Sequence, residues 1–125
     1  MEDSFTPMEQ KLSYTIAIFT QTLCGPCIEL KEDVSKMHEK IQRKIEFFPI
    51  KTITGNRTAW CESLGVETTP TLVVVEDEDC DKSLRFVVGR KAILEMLQNT
   101  LLLYTDLDLK YIDSLIENVE EKECS

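Results

Sequence analysis

The stretch TQTLCGPCIELKEDV, residues 20–34, carries two cysteines, Cys24 and Cys27, on either side of a Gly-Pro pair. The segment SYTIAIFT (13–20) is rich in β-branched and aromatic residues, as is typical of a buried strand. Apolar residues after the motif recur at the spacing of one helical face and predict a helix from about Pro26 to Arg43; they are Leu30, Val34, Met37 and Ile41. A CxxC pair between a strand and a helix could be a reversible redox pair, a metal site or two buried thiols without chemistry.

The predicted start of this helix makes the two cysteines unequal. Pro26 suits the first helical turn, where a backbone N–H is not needed. Cys24 should then lie exposed at the helix N-terminus, whereas Cys27, three residues before Leu30, should lie on the buried face. The partial positive charge of a helix N-terminus favours a thiolate, so we expect a lowered pKa for Cys24. Cys24 is thus predicted to be the attacking sulfur and Cys27 the resolving one.

A metal site is disfavoured by the small number of clustered cysteines. Only two of the five cysteines lie close together in sequence, and structural zinc is usually held by four protein ligands. The acidic segment EDEDCDK (76–82) lacks the spaced ligands of a calcium loop. We therefore expect neither a metal nor another cofactor.

Length and composition restrict the class of protein. With 125 residues and 42% hydrophobic content, the chain is expected to form one globular domain. Its first residues lack the features of a secretory signal, and no apolar run approaches the ~18 residues of a membrane span, so we predict a cytoplasmic protein. There, a disulfide should be transient or catalytic. A net charge of −9 argues against binding nucleic acid or an anionic membrane, because phosphates attract clustered Lys and Arg.

The remaining segments alternate between strand and helix signals. The predicted order is β-α-β-α-β-β-α, which specifies an α/β fold with a central four-stranded mixed sheet flanked by helices. The first two strands should be parallel and the last two a hairpin. Pro49 places the second strand at an edge, because proline cannot donate to a ladder. The elements after the first helix are a strand at 45–51, a helix at 58–64, strands from TPTLVVVE (69–76) and SLRFVV (83–88), and a helix at 91–103.

Over roughly residues 12–104 the chain resembles the thioredoxin family. The residues that carry the resemblance are the Cys24-Gly25-Pro26-Cys27 motif after a strand, the TTPT segment with Pro70, and Gly89 after the fourth strand. The resemblance implies a thioredoxin-like fold and a thiol–disulfide oxidoreductase that reduces or exchanges protein disulfides. It also implies two kinds of partner, protein disulfide substrates and a thioredoxin-reductase-like electron donor.

The same resemblance implies roles for residues outside the cysteine pair. A cis Pro70 would pack beside the disulfide, and Thr69 would expose its backbone beside Cys24 and pair with an extended substrate segment. The other residues assigned to substrate binding are Leu23, Ile28 and Gly89.

The sequence also departs from the family. Typical thioredoxins have Trp where this chain has Leu23, Lys where it has Ile28, and a buried Asp where it has Ile18. That Asp is thought to help deprotonate the resolving cysteine, so no general base for Cys27 is evident. The short N-terminal segment implies a minimal, glutaredoxin-like core, but Gly-Pro between the cysteines favours thioredoxin-type activity over glutathione chemistry. The alternative function is a thioredoxin-fold binding module with weak or no turnover.

Residues 106–125 form an addition that typical thioredoxins lack. We divide the chain into a thioredoxin-like domain, 1–105 with a lead-in at 1–12, and a C-terminal amphipathic helix and tail, 106–125. The helix is expected to pack on the domain and leave a monomer, the alternative being a dimerisation or partner-binding helix. Its apolar positions are Leu107, Tyr111, Ile112, Leu115, Ile116 and Val119.

Several other reactive or charged residues are not assigned to the chemistry. Cys61 is expected to be a small core residue, whereas Cys80 in the acidic turn and Cys124 in the tail should be exposed. His38 would lie about 16 Å from Cys27 along a continuous helix, too far to act as its base. The acidic residues that should stabilise the first helical turns, and repel acidic partners, are Glu29, Glu32 and Asp33.

Overall fold

The computed structural model describes residues 14–76, 83–98 and 106–118. Their strands are β1 (Tyr14–Thr20), β2 (Ile45–Pro49), β3 (Thr71–Glu76) and β4 (Ser83–Val88). Their helices are α1 (Gly25–Ser35), α2 (Glu39–Gln42), α3 (Ala59–Leu64), α4 (Arg90–Gln98) and α5 (Asp106–Asn118). None of these helices is long and apolar enough to cross a membrane. The predictions for Cys80, for Cys124 and for the helix beyond Gln98 lie outside the described residues.

The strands form one mixed sheet in the order β2-β1-β3-β4. β1 and β2 are parallel, as expected for strands joined through a helix, and β3 is antiparallel to both of its neighbours. β2 lies at an edge of the sheet, where a proline such as Pro49 is tolerated although it has no backbone N–H to donate. The predicted four-stranded mixed sheet flanked by helices is confirmed, together with its parallel pair and its edge strand.

Successive side chains of β1 point to opposite faces of the sheet and enter two apolar layers. Ile16 and Ile18 lie in a cluster with residues of α1, α4 and α5. Ala17 and Phe19 lie in a second cluster with α3, where the ring centroids of Phe19 and Trp60 are 5.2 Å apart in a T-shaped contact. Helices on both faces bury β1 from Ile16 onward, which explains its near-continuous apolar sequence.

The helix predicted from about Pro26 to Arg43 is two helices. α1 ends at Ser35, and α2 begins at Glu39 after a turn. The prediction of one continuous helix is therefore wrong. All four apolar positions on which it rested are nevertheless buried, Leu30 and Val34 on α1, Met37 in the turn and Ile41 on α2.

Side chains supply hydrogen bonds at this interruption. Nδ1 of His38 accepts a hydrogen bond from the Lys40 N–H (3.0 Å) and so caps α2. The Gln42 amide donates to the backbone carbonyls of Ser35 (3.2 Å) and Met37 (2.7 Å). The distance inferred for His38 along one continuous helix does not apply, and the role of His38 is that of a cap.

The short helix α3 matches the predicted helix at 58–64 within one residue. The Thr58 hydroxyl accepts a hydrogen bond from the Cys61 N–H (3.2 Å) and caps the helix. The chain leaves α3 through Gly65 at φ 77°, a left-handed conformation that favours glycine. Cys61 lies on the face of α3 that packs against the sheet, where it is completely buried.

The C-terminal helix α5 packs on the core of the domain. Ile112 is completely buried in the cluster of β1 and α1, and Leu115 and Ile116 are partly buried against the same cluster. The Tyr111 hydroxyl donates a 2.9 Å hydrogen bond to the backbone carbonyl of Asp33 in α1. One face of α5 therefore covers the domain's own apolar surface.

Candidate active site

Cys24 and Cys27 form a disulfide at the start of α1, with their Cα atoms 5.2 Å apart. Cys24 is the N-cap residue in an extended conformation, and its carbonyl accepts a hydrogen bond from the Ile28 N–H (3.1 Å). Pro26 lies in the first turn, as predicted, where it removes no helical hydrogen bond. The two cysteines singled out by the sequence therefore meet at a helix N-terminus.

Solvent reaches neither cysteine in this oxidised form. The exposed fraction is 0% for Cys24 and 1% for Cys27, so the prediction of an exposed Cys24 is wrong. Thr69 lies against the Cys24 sulfur, with its Oγ1 3.4 Å and its backbone oxygen 3.8 Å from Cys24 Sγ. The local helix pattern could not reveal this cover, because Thr69 lies 45 residues further along the chain.

Thr69 lies next to the disulfide, Pro70 follows it in the chain, and Gly89 contacts Pro70. The Thr69–Pro70 peptide bond is cis, and the Pro70 carbonyl accepts a hydrogen bond from the Gly89 N–H (2.9 Å). Gly89 has φ 97°, which only glycine adopts without strain. Thr69 lies beside Cys24 as expected, but it is 0% exposed. The expectation that Thr69 presents its backbone to solvent is therefore wrong for the oxidised form.

Leu23 and Ile28 are exposed apolar residues that flank the cysteine motif. Their exposed fractions are 92% and 63%. Leu23 has φ 62°, a left-handed conformation that costs a non-glycine residue about 1 kcal/mol. The two side chains therefore form exposed apolar surface on both sides of the disulfide motif.

The comparisons with known proteins agree with this geometry. A family model described as a thioredoxin-like domain matches residues 1–101. The chain belongs to the thioredoxin-like domain family. It is similar to the solved structure of the germline-specific thioredoxin Deadhead from Drosophila melanogaster, with 20% sequence identity and a TM-score of 0.50. That likeness covers 77% of this chain and 96% of the other, and it concerns the fold. A comparison with curated proteins found no match.

Gln21 is a residue of this thioredoxin-like site that sequence reasoning missed. It lies in the loop between β1 and Cys24, and its Nε2 donates a 2.9 Å hydrogen bond to Thr69 Oγ1. The same hydroxyl oxygen lies 3.4 Å from Cys24 Sγ. No local signal marks Gln21, because it belongs to no motif and its partner is distant in sequence.

Asp33 is a second residue whose environment the sequence analysis misjudged. It is 6% exposed, lies in the last turn of α1 and accepts hydrogen bonds from Arg90 Nε (2.7 Å) and Nη2 (3.1 Å), so the expectation that it stabilises the first helical turns and repels acidic partners is wrong. The hydrogen bonds to Asp33 raise the pKa of Arg90, while partial burial acts in the opposite direction. Asp33 directly precedes Val34, an apolar position of the buried helix face. This neighbour in the sequence indicates that Asp33 lies at the border of the core.

The position at which typical thioredoxins carry a buried Asp is apolar in this domain. Ile18 is completely buried in the cluster that contains Leu30 and Val34 of α1. β1 therefore offers no carboxylate at the position where the family carries one.

Among the described residues, Cys61 is the one cysteine outside the disulfide. Cys61 is a free thiol that is completely buried in the second apolar cluster, as predicted for a core residue. Burial raises the pKa of the Cys61 thiol, which keeps it protonated and unreactive. Within the described ranges, no group of three or more His, Cys, Asp or Glu residues could hold a metal ion.

Proposed function

We propose that this thioredoxin-like domain is a thiol–disulfide oxidoreductase that reduces or exchanges protein disulfides through Cys24 and Cys27. The observation that carries the proposal is the disulfide between the N-cap and the first turn of α1, beside the cis Thr69–Pro70 bond. Once the disulfide is reduced, the helix N-terminus favours a thiolate on Cys24. The proposed setting is the cytoplasm, and the proposed active form is a monomer.

The reaction follows the usual course of thiol–disulfide exchange. The Cys24 thiolate attacks one sulfur of a substrate disulfide, a Cys24–substrate bond forms, and the other substrate sulfur leaves as a thiolate. The Cys27 thiolate then attacks Cys24 Sγ, closes the intramolecular disulfide and releases the second substrate sulfur. Two electrons have passed to the substrate, and a thioredoxin-reductase-like donor returns the pair to the dithiol.

The surroundings of the disulfide suggest how a protein substrate is held. Leu23 and Ile28 supply exposed apolar surface next to the reacting sulfur. Thr69 and both cysteines are buried in the oxidised form, so the electron donor that restores the dithiol can reach Cys24 only after the residues around this sulfur move. An extended substrate segment can pair with the Thr69 backbone in the manner of an added strand. Gly89, hydrogen-bonded to Pro70, borders that position.

A second candidate function is a binding module of thioredoxin fold with weak or no turnover. Two observations favour it: Ile18 removes the expected proton acceptor, and both sulfurs are buried. Reduction of insulin by dithiothreitol, followed by turbidity, separates the candidates. We expect the wild type to accelerate precipitation and Cys24→Ser to abolish the acceleration. A wild type no faster than Cys24→Ser would support the binding module.

The order of attack is tested by trapping the mixed disulfide. Cys27→Ser should accumulate a stable mixed disulfide with a protein substrate, because the resolving thiol is absent, whereas Cys24→Ser should not. Non-reducing electrophoresis with mass spectrometry identifies the linked cysteine. Equal trapping by both variants would show that the assignment of attacker and resolver is wrong.

A further inference from the structure

We propose that Gln21 is a positioning residue for the redox reaction. It orients the Thr69 hydroxyl so that this hydroxyl donates a hydrogen bond to Cys24 Sγ and favours the thiolate after reduction. The inference rests on the proposed function and deepens it, because it names a residue outside the cysteine motif that sets the reactivity of the attacking sulfur.

Two consecutive contacts connect the loop after β1 with the Cys24 sulfur. Gln21 Nε2 donates to Thr69 Oγ1 at 2.9 Å, and Thr69 Oγ1 lies 3.4 Å from Cys24 Sγ. A hydroxyl has one hydrogen and two lone pairs, so accepting the Gln21 N–H leaves the Thr69 hydrogen for another partner. The sulfur of a disulfide carries no hydrogen, so Thr69 is the donor in this contact. Gln21 therefore donates to Thr69, and Thr69 donates to Cys24.

Burial makes this hydrogen bond matter for ionisation. Thr69 and Cys24 are both 0% exposed, so water does not replace a hydrogen bond that is lost there. Hydrogen bonds to an ionised acceptor are roughly twice as strong as those between neutral groups. The Thr69 hydroxyl should therefore stabilise the Cys24 thiolate more than it stabilises the thiol or the disulfide.

The Thr69 backbone acts in the opposite direction on the same sulfur. Its carbonyl oxygen lies 3.8 Å from Cys24 Sγ, where it can accept a hydrogen bond from a thiol but only repel a thiolate. Cys24 thus faces a donor and an acceptor on one residue. The orientation of the hydroxyl decides how far the thiolate is favoured, and Gln21 is the side chain that holds this orientation.

Two substitutions of Gln21 test the direction of these two hydrogen bonds. Gln21→Ala leaves the Thr69 hydroxyl without its fixed donor. Gln21→Glu keeps nearly the same shape, but a carboxylate only accepts and draws the Thr69 hydrogen away from the sulfur. The measurement is the rate of Cys24 alkylation in the reduced protein as a function of pH, assigned by peptide mass spectrometry. We expect its midpoint to rise in Gln21→Ala and to rise further in Gln21→Glu.

Substitutions of Thr69 show whether Gln21 acts through the hydroxyl. Thr69→Val removes the hydroxyl at nearly constant shape and should raise the midpoint by about one pH unit, the scale expected for a hydrogen bond to a charged group. Thr69→Ser keeps the hydroxyl and should restore the midpoint. In the Thr69→Val background, Gln21→Ala should add no further shift. Thr22→Ala, in the same loop and exposed, is the matched control and should change nothing.

Two results would overturn the inference: a midpoint unchanged by Gln21→Ala, or an equal shift by Gln21→Ala with and without the Thr69 hydroxyl. If Thr69→Val does not fold, as judged by circular dichroism, the test rests on the Thr69→Ser background, where Gln21→Glu should raise the midpoint more than Gln21→Ala does. Alkylation requires no protein substrate. A midpoint that responds to Gln21 in a protein that does not reduce insulin would therefore refute the proposed function, while the effect of Gln21 on the Cys24 thiolate would stand.

Discussion

Arg90 Nε and Nη2 donate hydrogen bonds to both carboxylate oxygens of Asp33, at 2.7 and 3.1 Å, and join the start of α4 to the last turn of α1. The two side chains are only 12% and 8% exposed. Tyr111 of α5 donates to the backbone carbonyl of the same Asp33. Three helices therefore meet at one residue of the helix that begins with the cysteine pair.

The buried ion pair should carry a large share of the stability at this junction. Arg90→Leu is expected to lower the free energy of unfolding by about 3 kcal/mol or more, because it leaves the Asp33 carboxylate buried without a partner. The double variant Arg90→Leu, Asp33→Leu should recover much of that loss, since neither charge is then buried alone. Urea denaturation followed by circular dichroism measures both values.

Glu29 provides the matched control for this experiment. Its carboxylate lies 3.5 Å from Arg90 Nη1, but its side chain is 62% exposed. Glu29→Gln should therefore change the free energy of unfolding by less than about 1 kcal/mol. A loss in Arg90→Leu no larger than the loss in Glu29→Gln would contradict the importance of the buried pair.

Tyr111 should make the docking of α5 sensitive to alkaline pH. Burial raises the pKa of Tyr111 above its ordinary value, and the charges of Asp33 and Glu32 raise it further, while Arg90 lowers it. A tyrosine whose pKa is higher in the folded state than in the unfolded state stabilises the fold fully below about pH 10. That contribution is lost progressively as the pH rises from there through the folded-state pKa.

Tyr111→Phe tests this pH dependence. The variant should be less stable near neutral pH by about 1 kcal/mol, because the hydrogen bond to the Asp33 carbonyl is lost. Its stability should also decline less steeply above about pH 10, because the phenol no longer titrates. Urea denaturation of both proteins at several alkaline pH values gives the comparison. Parallel declines in the two proteins would show that Tyr111 does not couple to pH.

The exposed apolar residues beside the motif should matter for protein substrates and not for small ones. Leu23→Asn with Ile28→Gln is expected to reduce the rate of insulin reduction several-fold, while reduction of a small aromatic disulfide stays near the wild-type rate. Asn also tolerates the left-handed conformation at position 23, so the variant should fold. Leu109→Gln, which changes another exposed apolar residue, on α5, serves as the control. Equal losses with both substrates would place these residues in the chemical step instead.

The apolar residue at position 18 should slow the resolution of mixed disulfides. Ile18→Asp is expected to speed the attack by Cys27 near neutral pH, because general-base assistance is typically worth ~100-fold or more. The buried carboxyl should cost a few kcal/mol of stability. Stopped-flow kinetics of the step after mixed-disulfide formation measures the effect.

Ile18→Asn is the control for this experiment, since it has the shape of Asp without a group that accepts a proton. Equal resolution rates in the Asp and Asn variants would refute the idea. A wild-type turnover independent of pH between about 6 and 9 would refute it as well, because unassisted loss of the Cys27 proton should depend on pH.

The elements that sequence reasoning predicted correctly depend on residues within a few positions of each other. The β-branched and aromatic run before the motif is buried as β1, and Pro26 lies in the first turn of α1. Thr58 and Gly65 close the two ends of α3, and Pro49 lies in an edge strand. In each case the steric and hydrogen-bonding properties of one residue type restrict the local backbone.

The features that it missed depend on contacts between distant parts of the chain. The burial of Cys24 comes from Thr69, 45 residues away, and the pairing of Asp33 comes from Arg90, 57 residues away. The interruption after Ser35 was missed for a different reason, since the Gln42 side chain that stabilises it lies only seven residues away. A helical pattern predicts which face is buried, but it does not reveal which carbonyls will find partners elsewhere.

The sequence by itself determined the family, the sheet and the reactive cysteine pair, because short-range patterns specify strands, helix starts and the CGPC motif. Only the tertiary structure decided what surrounds the Cys24 sulfur. The end of β1, the start of β3 and the end of β4 lie at the same end of the sheet, where Gln21 donates to Thr69, Thr69 contacts Cys24, and Gly89 donates to the Pro70 carbonyl. Hydrogen bonds and desolvation act over a few ångströms, so they exist only once folding has brought these groups together.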